Sequence, residues 1–333
     1  MIFKKAKITI NLFFLFILTF ILCSCSDNSN NNYKKIKISE ATRSIFYCPQ
    51  YVAMSLGFFE EEGLKIDLVT SEGSDKAMTC VLSEQSDIAL MGSEMVAYVC
   101  SGGRENFPIL FSQLTKKDGS FLVGRQSLFR WSDLKGKTII GGRKGGLPEM
   151  TLEHVLRKNG LEPNVDVGIL NNIKLDLMGS AFLSGTGDYV MLFEPIASSF
   201  ESTKNCNVLE SLGNNCGEIT YTCYCASQKY LKKNKETIEK FTRALYKAQT
   251  WVRTHNSTEI AHIISPYFVN TNIELIERAI LRCSKVGVWS ETPVVNKNAF
   301  DLMQQIAAEA GELKQKIDFN KVVDNQYALA ATM

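Results

Sequence analysis

From Lys35 onward, short apolar runs with strand character alternate with amphipathic helical stretches, and midway along the chain the alternation begins again. Lys35 to Ser39 reads as a strand, Pro49 to Glu61 as a helix, Lys65 to Thr70 as a strand and Ser74 to Ser83 as a helix. Asp87 to Met91 is a strand, Ser93 opens a helix, and Phe107 to Thr115 is β-rich. The grammar restarts with strands at Ser120 to Gly124 and Lys137 to Gly141 and a helix at Pro148 to Asn159. A strand at Ile173 to Leu175, a short helix at Ala181 to Ser184, a strand at Tyr189 to Phe193 and a helix at Pro195 to Ser202 follow. Strands that alternate with helices bury both faces of a parallel sheet, so the pattern predicts two α/β lobes. After Gly217 a strand from Glu218 to Cys225 leads into an almost wholly helical tail, Gln228 to Gly311. Such a tail would be poorly buried alone and is expected to pack back on the first lobe. Lobe 1 is therefore read as 35–117 with 218–325 and lobe 2 as 118–217, with crossings near 115–120 and 217–222.

The first residues have a different logic. Lys4, Lys5 and Lys7 precede an apolar run, Ile8 to Leu22, which is shorter than the roughly 20 residues a spanning helix needs. Leu22-Cys23-Ser24-Cys25 resembles the lipobox of a bacterial lipoprotein. That resemblance implies a signal peptide over 1–24, lipidation of Cys25 and a flexible tether over 25–34, whose SDNSNNN stretch lacks aromatic residues. The expected location is the extracytoplasmic face of the cell membrane, held by lipid. An uncleaved membrane anchor is the alternative.

Composition removes several classes. Hydrophobic residues make up 45% and charged residues 22%, as in an ordinary globular chain with a sizeable core. The formal charge of +2 falls close to neutral once the three leader lysines are set aside, so there is no electrostatic footprint for nucleic acid. No second apolar run is long enough to span a bilayer. Ten cysteines are present at irregular spacings. Buried or free thiols are favoured over a disulfide framework, and packing over a soft-metal site at Cys223, Cys225 and Cys48, because no histidine accompanies them.

Tyr47-Cys-Pro49-Gln-Tyr51-Val-Ala53, followed by Gly57-Phe58-Phe59-Glu-Glu-Glu-Gly63-Leu64-Lys-Ile66, resembles the opening of ABC-importer solute-binding proteins of the nitrate, sulfonate and thiamine-pyrimidine branch. Leu82-Ser-Glu-Gln-Ser-Asp87-Ile88-Ala, Gly92-Ser93-Glu94, Asp133-Leu134-Lys-Gly136-Lys137-Thr and Phe193-Glu194-Pro195 fit in order. So does the tail from Lys240 through Trp251. The resemblance implies a type II periplasmic-binding-protein fold, two lobes joined by two hinge crossings that close on a small solute. It also implies an ABC permease and its ATPase as partners, a monomer, and neither catalytic residue nor cofactor nor metal.

The candidate contacts are those the pattern puts at strand ends, where loops face a cleft. Phe46 and Tyr47 follow the first strand and could cover a planar ligand, or could pack in the core. Ser93 and Glu94 stand at a helix start, where Ser93 reads as a contact or a cap and Glu94 could accept from an amino or cationic group. Gln113 enters the first crossing as an amide contact. Gly145 and Gly146 lie in a Gly-rich turn that permits close backbone approach, although G-x-x-x-x-G-K-[ST] is absent. Glu194 follows a strand, facing Glu94 across the cleft or capping a helix. Tyr221 shares a strand face with Cys223 and Cys225, and Trp289 reaches from the tail, as contact or as anchor. Aromatic and acidic candidates favour a thiamine pyrimidine precursor or a related nitrogenous aromatic. Arg143 and Lys144 keep a sulfonate or nitrate-type anion open. From other classes, a pyrimidine-synthase-like enzyme, whose fold resembles this family's, and a metal-binding lipoprotein remain.

Overall fold

The computed structural model describes residues 33–203 and 205–333. The leader, Cys25 and all but the last two residues of the expected tether lie outside them. Ten strands among the described residues form two five-stranded sheets. The first contains β1 (Lys34–Glu40), β2 (Leu64–Thr70), β3 (Ile88–Gly92), β4 (Pro108–Thr115) and β10 (Thr222–Ser227), in the order β2-β1-β3-β10-β4. The second contains β5 (Ser120–Gly124), β6 (Thr138–Ile140), β7 (Gly168–Leu170), β8 (Tyr189–Phe193) and β9 (Asn207–Ser211), in the order β7-β6-β8-β5-β9.

Both sheets are mixed, which refines the expectation of parallel lobes. β1 runs parallel to β2 and β3, and β6 parallel to β7 and β8. β10 is antiparallel to β3 and β4, and β5 to β8 and β9. The cause is the pair of crossings. The chain leaves one sheet through β4 and enters the other through β5; it returns through β10. A strand arriving from the other lobe enters its sheet from the cleft side and so opposes strands that run toward the cleft.

Local differences have identifiable reasons. Gly57 takes a left-handed φ of 71° and splits the expected long helix into Cys48–Ser55 and Phe58–Glu61. The strand expected at Ile173 to Leu175 lies instead at β7, where Gly168, a weak strand former, fits tightly over Thr138. β9 was not anticipated: it is a half-exposed edge strand with little apolar signal. Residues 218–221 form the second crossing, so the final strand starts at Thr222.

The tail packs on the first sheet. Helix Lys235–Thr254 buries Ile238, Phe241, Thr242, Leu245, Ala248, Gln249 and Val252 on one face. Phe241 stacks on Phe59 at 5.1 Å and meets Tyr224 edge-on at 5.0 Å and Phe111 at 5.9 Å. Helix Ser257–Ile264 packs on Cys48–Ser55 and on helix Ile273–Val286, which in turn touches the turn at 45–47 and helix Ile196–Thr203 of the second lobe. The eight described cysteines are free thiols and all but Cys80 are buried.

Candidate functional site

In each sheet the chain runs from a central strand outward to its neighbour and then back to the opposite side, from β1 to β2 to β3 and from β6 to β7 to β8. Loops leaving the carboxyl ends of the central strands therefore diverge, which is where open α/β sheets place a ligand. The first lobe sends there the turn Ile45–Tyr47 after β1 and the start of helix Glu94–Ser101 after β3. The second lobe sends the glycine turn at 141–146, ahead of helix Leu147–Lys158, and Phe193-Glu194 after β8.

Phe46 lies at the centre. The Ser44 hydroxyl accepts from its amide at 3.2 Å and fixes the turn. Its ring contacts Tyr47 at 5.8 Å, Tyr221 edge-on at 5.3 Å and, across the lobes, Phe193 at 5.9 Å. Gly119, in the first crossing, lies so close beneath that ring that a Cβ there would collide with it. Tyr47 is buried, and burial together with Glu40 and Glu94 holds its phenol far above the usual range. The lobes are in direct contact: Ser44 Oγ donates to the Glu194 carbonyl at 3.0 Å, and Tyr98 donates to the Gly145 carbonyl at 3.0 Å. Gly145 itself, at φ 75°, donates its amide to Glu149, and Gly146 forms the N-cap of helix Leu147–Lys158.

Glu94 is buried and its carboxyl folds back over Gly92, leaving no room for a side chain there. Burial pushes its pKa to about 7, against the opposing effects of its own amide, the Leu147 amide of the second lobe and Arg143. Its Oε2 has no hydrogen-bond partner. Glu40 is equally buried but differs in kind: it accepts from Arg43 at 2.6 Å, Tyr51 and Thr70 at 2.8 Å and Gln50 at 2.9 Å, so it holds the fold.

Four of the expected contacts have their side chains engaged within the protein. Gln113 donates to the Thr115 carbonyl at 3.1 Å and accepts from the Asn296 amide at 3.3 Å. Trp289 donates its indole N–H to the Phe46 carbonyl at 3.0 Å, which makes it the anchor of the Phe46 turn. Ser93 donates to the Thr220 carbonyl at 2.5 Å and makes no cap bond. Glu194 does not pair with Glu94 across the cleft. It caps helix Ile196–Thr203 through the Ser198 amide (3.0 Å) and hydroxyl (2.8 Å), and binds Arg282 of the tail at 2.9 Å. Burial still raises its pKa, with Arg282 opposing.

Sequence reading missed Asp118 and Thr151. Asp118, in the first crossing, is fully buried; one oxygen accepts from the Ser120 amide at 2.6 Å and hydroxyl at 2.5 Å, and Oδ2 has no partner of normal geometry. Burial lifts its pKa to about 6, opposed by Ser120, Tyr221 and Thr151. The hydroxyls of Tyr221 and Thr151, both buried, also lack a well-formed hydrogen bond. The Asp-Gly pair at a crossing signals no more than a turn. Thr151 was hidden inside a helix whose buried face reads as core.

The three histidines lie elsewhere: His154 pairs with Glu309 at 2.7 Å, His255 stacks on Trp251, and His262 is on helix Ser257–Ile264. Among the described residues no group of three or more His, Cys, Asp or Glu is placed to hold a metal ion. Burial drives the thiols of Cys48, Cys223 and Cys283 far up and those of Cys216 and Cys225 to about 12, which disfavours the reactive thiolate.

Residues 46–258 match the family model described as "NMT1/THI5 like". This chain belongs to the NMT1/THI5-like family. Within reach of that family it is 46% identical to the "Putative binding protein YtlA" of Bacillus subtilis (strain 168) over 300 residues, 90% of each chain. It is 24% identical over 225 residues to the 4-amino-5-hydroxymethyl-2-methylpyrimidine phosphate synthase of Aspergillus parasiticus, covering 62% of this chain and 63% of the synthase. The NMT1/THI5-like fold seen here also superposes on the alkanesulfonate-binding protein SsuA from Xanthomonas axonopodis pv. citri, solved with MOPS. The TM-score is 0.71 at 15% identity, covering 87% of this chain and 98% of that one. The two-lobed periplasmic-binding-protein architecture is thus common to both.

Proposed function

We propose that this chain is the solute-binding receptor of an ABC importer, which closes two lobes on one small organic molecule and passes it to a membrane permease without changing it. One observation carries the reading. Buried polar atoms from lobe 1 (Glu94 Oε2), from lobe 2 (the Thr151 hydroxyl) and from both crossings (Asp118 Oδ2 and the Tyr221 hydroxyl) lack a hydrogen bond of normal geometry, with Tyr221 and Thr151 acting on Asp118, beside an aromatic wall that itself spans the lobes. A solute touching both lobes stabilises the closed form by its differential affinity. The lobes are taken as 35–117 with 218–325, and 118–217. The binding-protein relative and the fold of the alkanesulfonate receptor support this role.

The solute that suits aromatic walls and buried carboxyl groups is a planar nitrogenous compound of the thiamine-pyrimidine-precursor type. The kinship with the Aspergillus synthase favours the same chemistry. An enzymatic reading has that kinship on its side, but no histidine stands at the cleft. Small-angle scattering with and without 4-amino-5-hydroxymethyl-2-methylpyrimidine tests the receptor: compaction with the compound recovered unchanged supports it, and a chemically altered product supports the enzyme.

The lipobox-like Leu22-Cys23-Ser24-Cys25 supports lipid anchoring at the extracytoplasmic face. Cys25→Ala should release the protein from membranes or block its processing; normal cleavage with unchanged membrane retention contradicts the anchor.

A further inference from the structure

Native proteins leave few buried polar groups unpaired, because each costs its full desolvation. Here Asp118 Oδ2, the Tyr221 hydroxyl and the Thr151 hydroxyl meet at one place, where the two hydroxyls act on Asp118 without forming a hydrogen bond of normal geometry. They come from the first crossing, the second crossing and the buried face of helix Leu147–Lys158, so no single element accounts for them. Glu94 lies close enough for its charge to act on Tyr221 as well as on Tyr47, and its Oε2 is a fourth such atom. The backbone here is held for other reasons. Ser120 secures the far oxygen of Asp118, and the Ser93 amide donates to the Tyr221 carbonyl at 2.9 Å. What lacks a well-formed hydrogen bond is therefore the side-chain atoms and not the backbone.

The inventory of these groups defines a ligand. Two carboxyl groups accept, and the two hydroxyls can donate or accept. The groups that favour the charge on Asp118 are hydroxyls and an amide, and the cation acting on Glu94, Arg143, is exposed and paired with Asp75 at 2.7 Å. An anion brought between two acids would meet like charge without a cation of its own to bind.

Resting on the receptor reading, we propose that Asp118, with Tyr221 and Thr151, is the hinge-side specificity determinant of the solute site. It selects a ligand end that presents N–H donors, neutral amino or cationic, and rejects sulfonate and nitrate. Because Asp118 and Tyr221 sit in the two crossings, a donor seated between them ties ligand recognition to the hinge.

The test is titration calorimetry on the full soluble chain with 4-amino-5-hydroxymethyl-2-methylpyrimidine, guanidinium, methanesulfonate and nitrate as probes, alongside thermal midpoints. Wild-type protein should bind an N–H probe and neither anion. Asp118→Asn should weaken that binding roughly 10- to 100-fold and Tyr221→Phe or Thr151→Val roughly 3- to 10-fold. Removing a buried hydroxyl that makes no hydrogen bond of normal geometry should change the thermal midpoint little, so the last two variants report on binding even if Asp118→Asn folds poorly. Binding of an N–H probe that all three variants leave intact overturns the role of Asp118 while the receptor reading stands. Preferential binding of methanesulfonate or nitrate overturns the selectivity. Binding of none of the four probes, with no compaction, overturns the proposal and counts against the receptor as well.

Discussion

Arg282→Ala tests whether the closed arrangement is held by the protein's own interlobe contacts. Arg282 lies on helix Ile273–Val286, which belongs to the tail packed on lobe 1, and its guanidinium donates to Glu194 at 2.9 Å and to Glu201 of lobe 2. The Glu194 side chain is fully buried and that of Arg282 is 19% exposed. Removing one partner of a buried pair costs about 3 to 5 kcal/mol. Two Ser198 donors remain to Glu194 and its carboxyl, already pushed up by burial, can take a proton, so the low end applies. About 3 kcal/mol shifts the closed-to-open ratio roughly 100-fold toward open. A ligand that binds only the closed form should then lose up to about that factor in affinity. The assay is small-angle scattering without ligand, followed by titration calorimetry, with Arg282→Lys as the partial case that keeps charge but loses the two-armed geometry. An unchanged radius of gyration together with unchanged affinity in Arg282→Ala would refute the argument.

Two further outcomes follow from burial. Glu94 has a folded pKa of about 7 against an ordinary 4.5, so between those values the native state holds more protons than the unfolded chain and stability falls as pH rises, by about 3 kcal/mol at most. Asp118 acts in the same direction up to about 6. Thermal midpoints of Glu94→Gln should therefore decline less than wild type from pH 4.5 to 7, and parallel profiles would contradict this. Phe241→Ala, which removes a buried ring joining the tail helix to Phe59, Phe111 and Tyr224, should cost about 3 to 5 kcal/mol by urea unfolding; a cost under about 1 kcal/mol would show that the tail is not seated as described.

The two lobes, the two crossings and the packed tail were legible because strand-helix alternation and its interruption at Gly217 are long, periodic signals. The reversed strands β5 and β10 were not, since direction follows from where a crossing enters a sheet and no residue pattern records that. The same division holds at the site. The positions of Phe46, Tyr47, Glu94 and Tyr221 at strand ends and helix starts were legible, and the structure buries all four. Gln113, Trp289, Ser93 and Glu194 occupy comparable positions, yet their donors and acceptors are consumed by distant partners such as Asn296, Phe46, Thr220 and Arg282. No pattern in the sequence marks Asp118, and only its burial beside Tyr221 and Thr151 sets it apart.

Native mass spectrometry of the processed protein isolated from its own cells tests the central claim most directly. The account predicts one small molecule per chain, released unchanged on denaturation, bearing N–H donors and lost from preparations of the Asp118→Asn and Glu94→Gln variants. A bound anion of the sulfonate type, or a compound returned in chemically altered form, would contradict it.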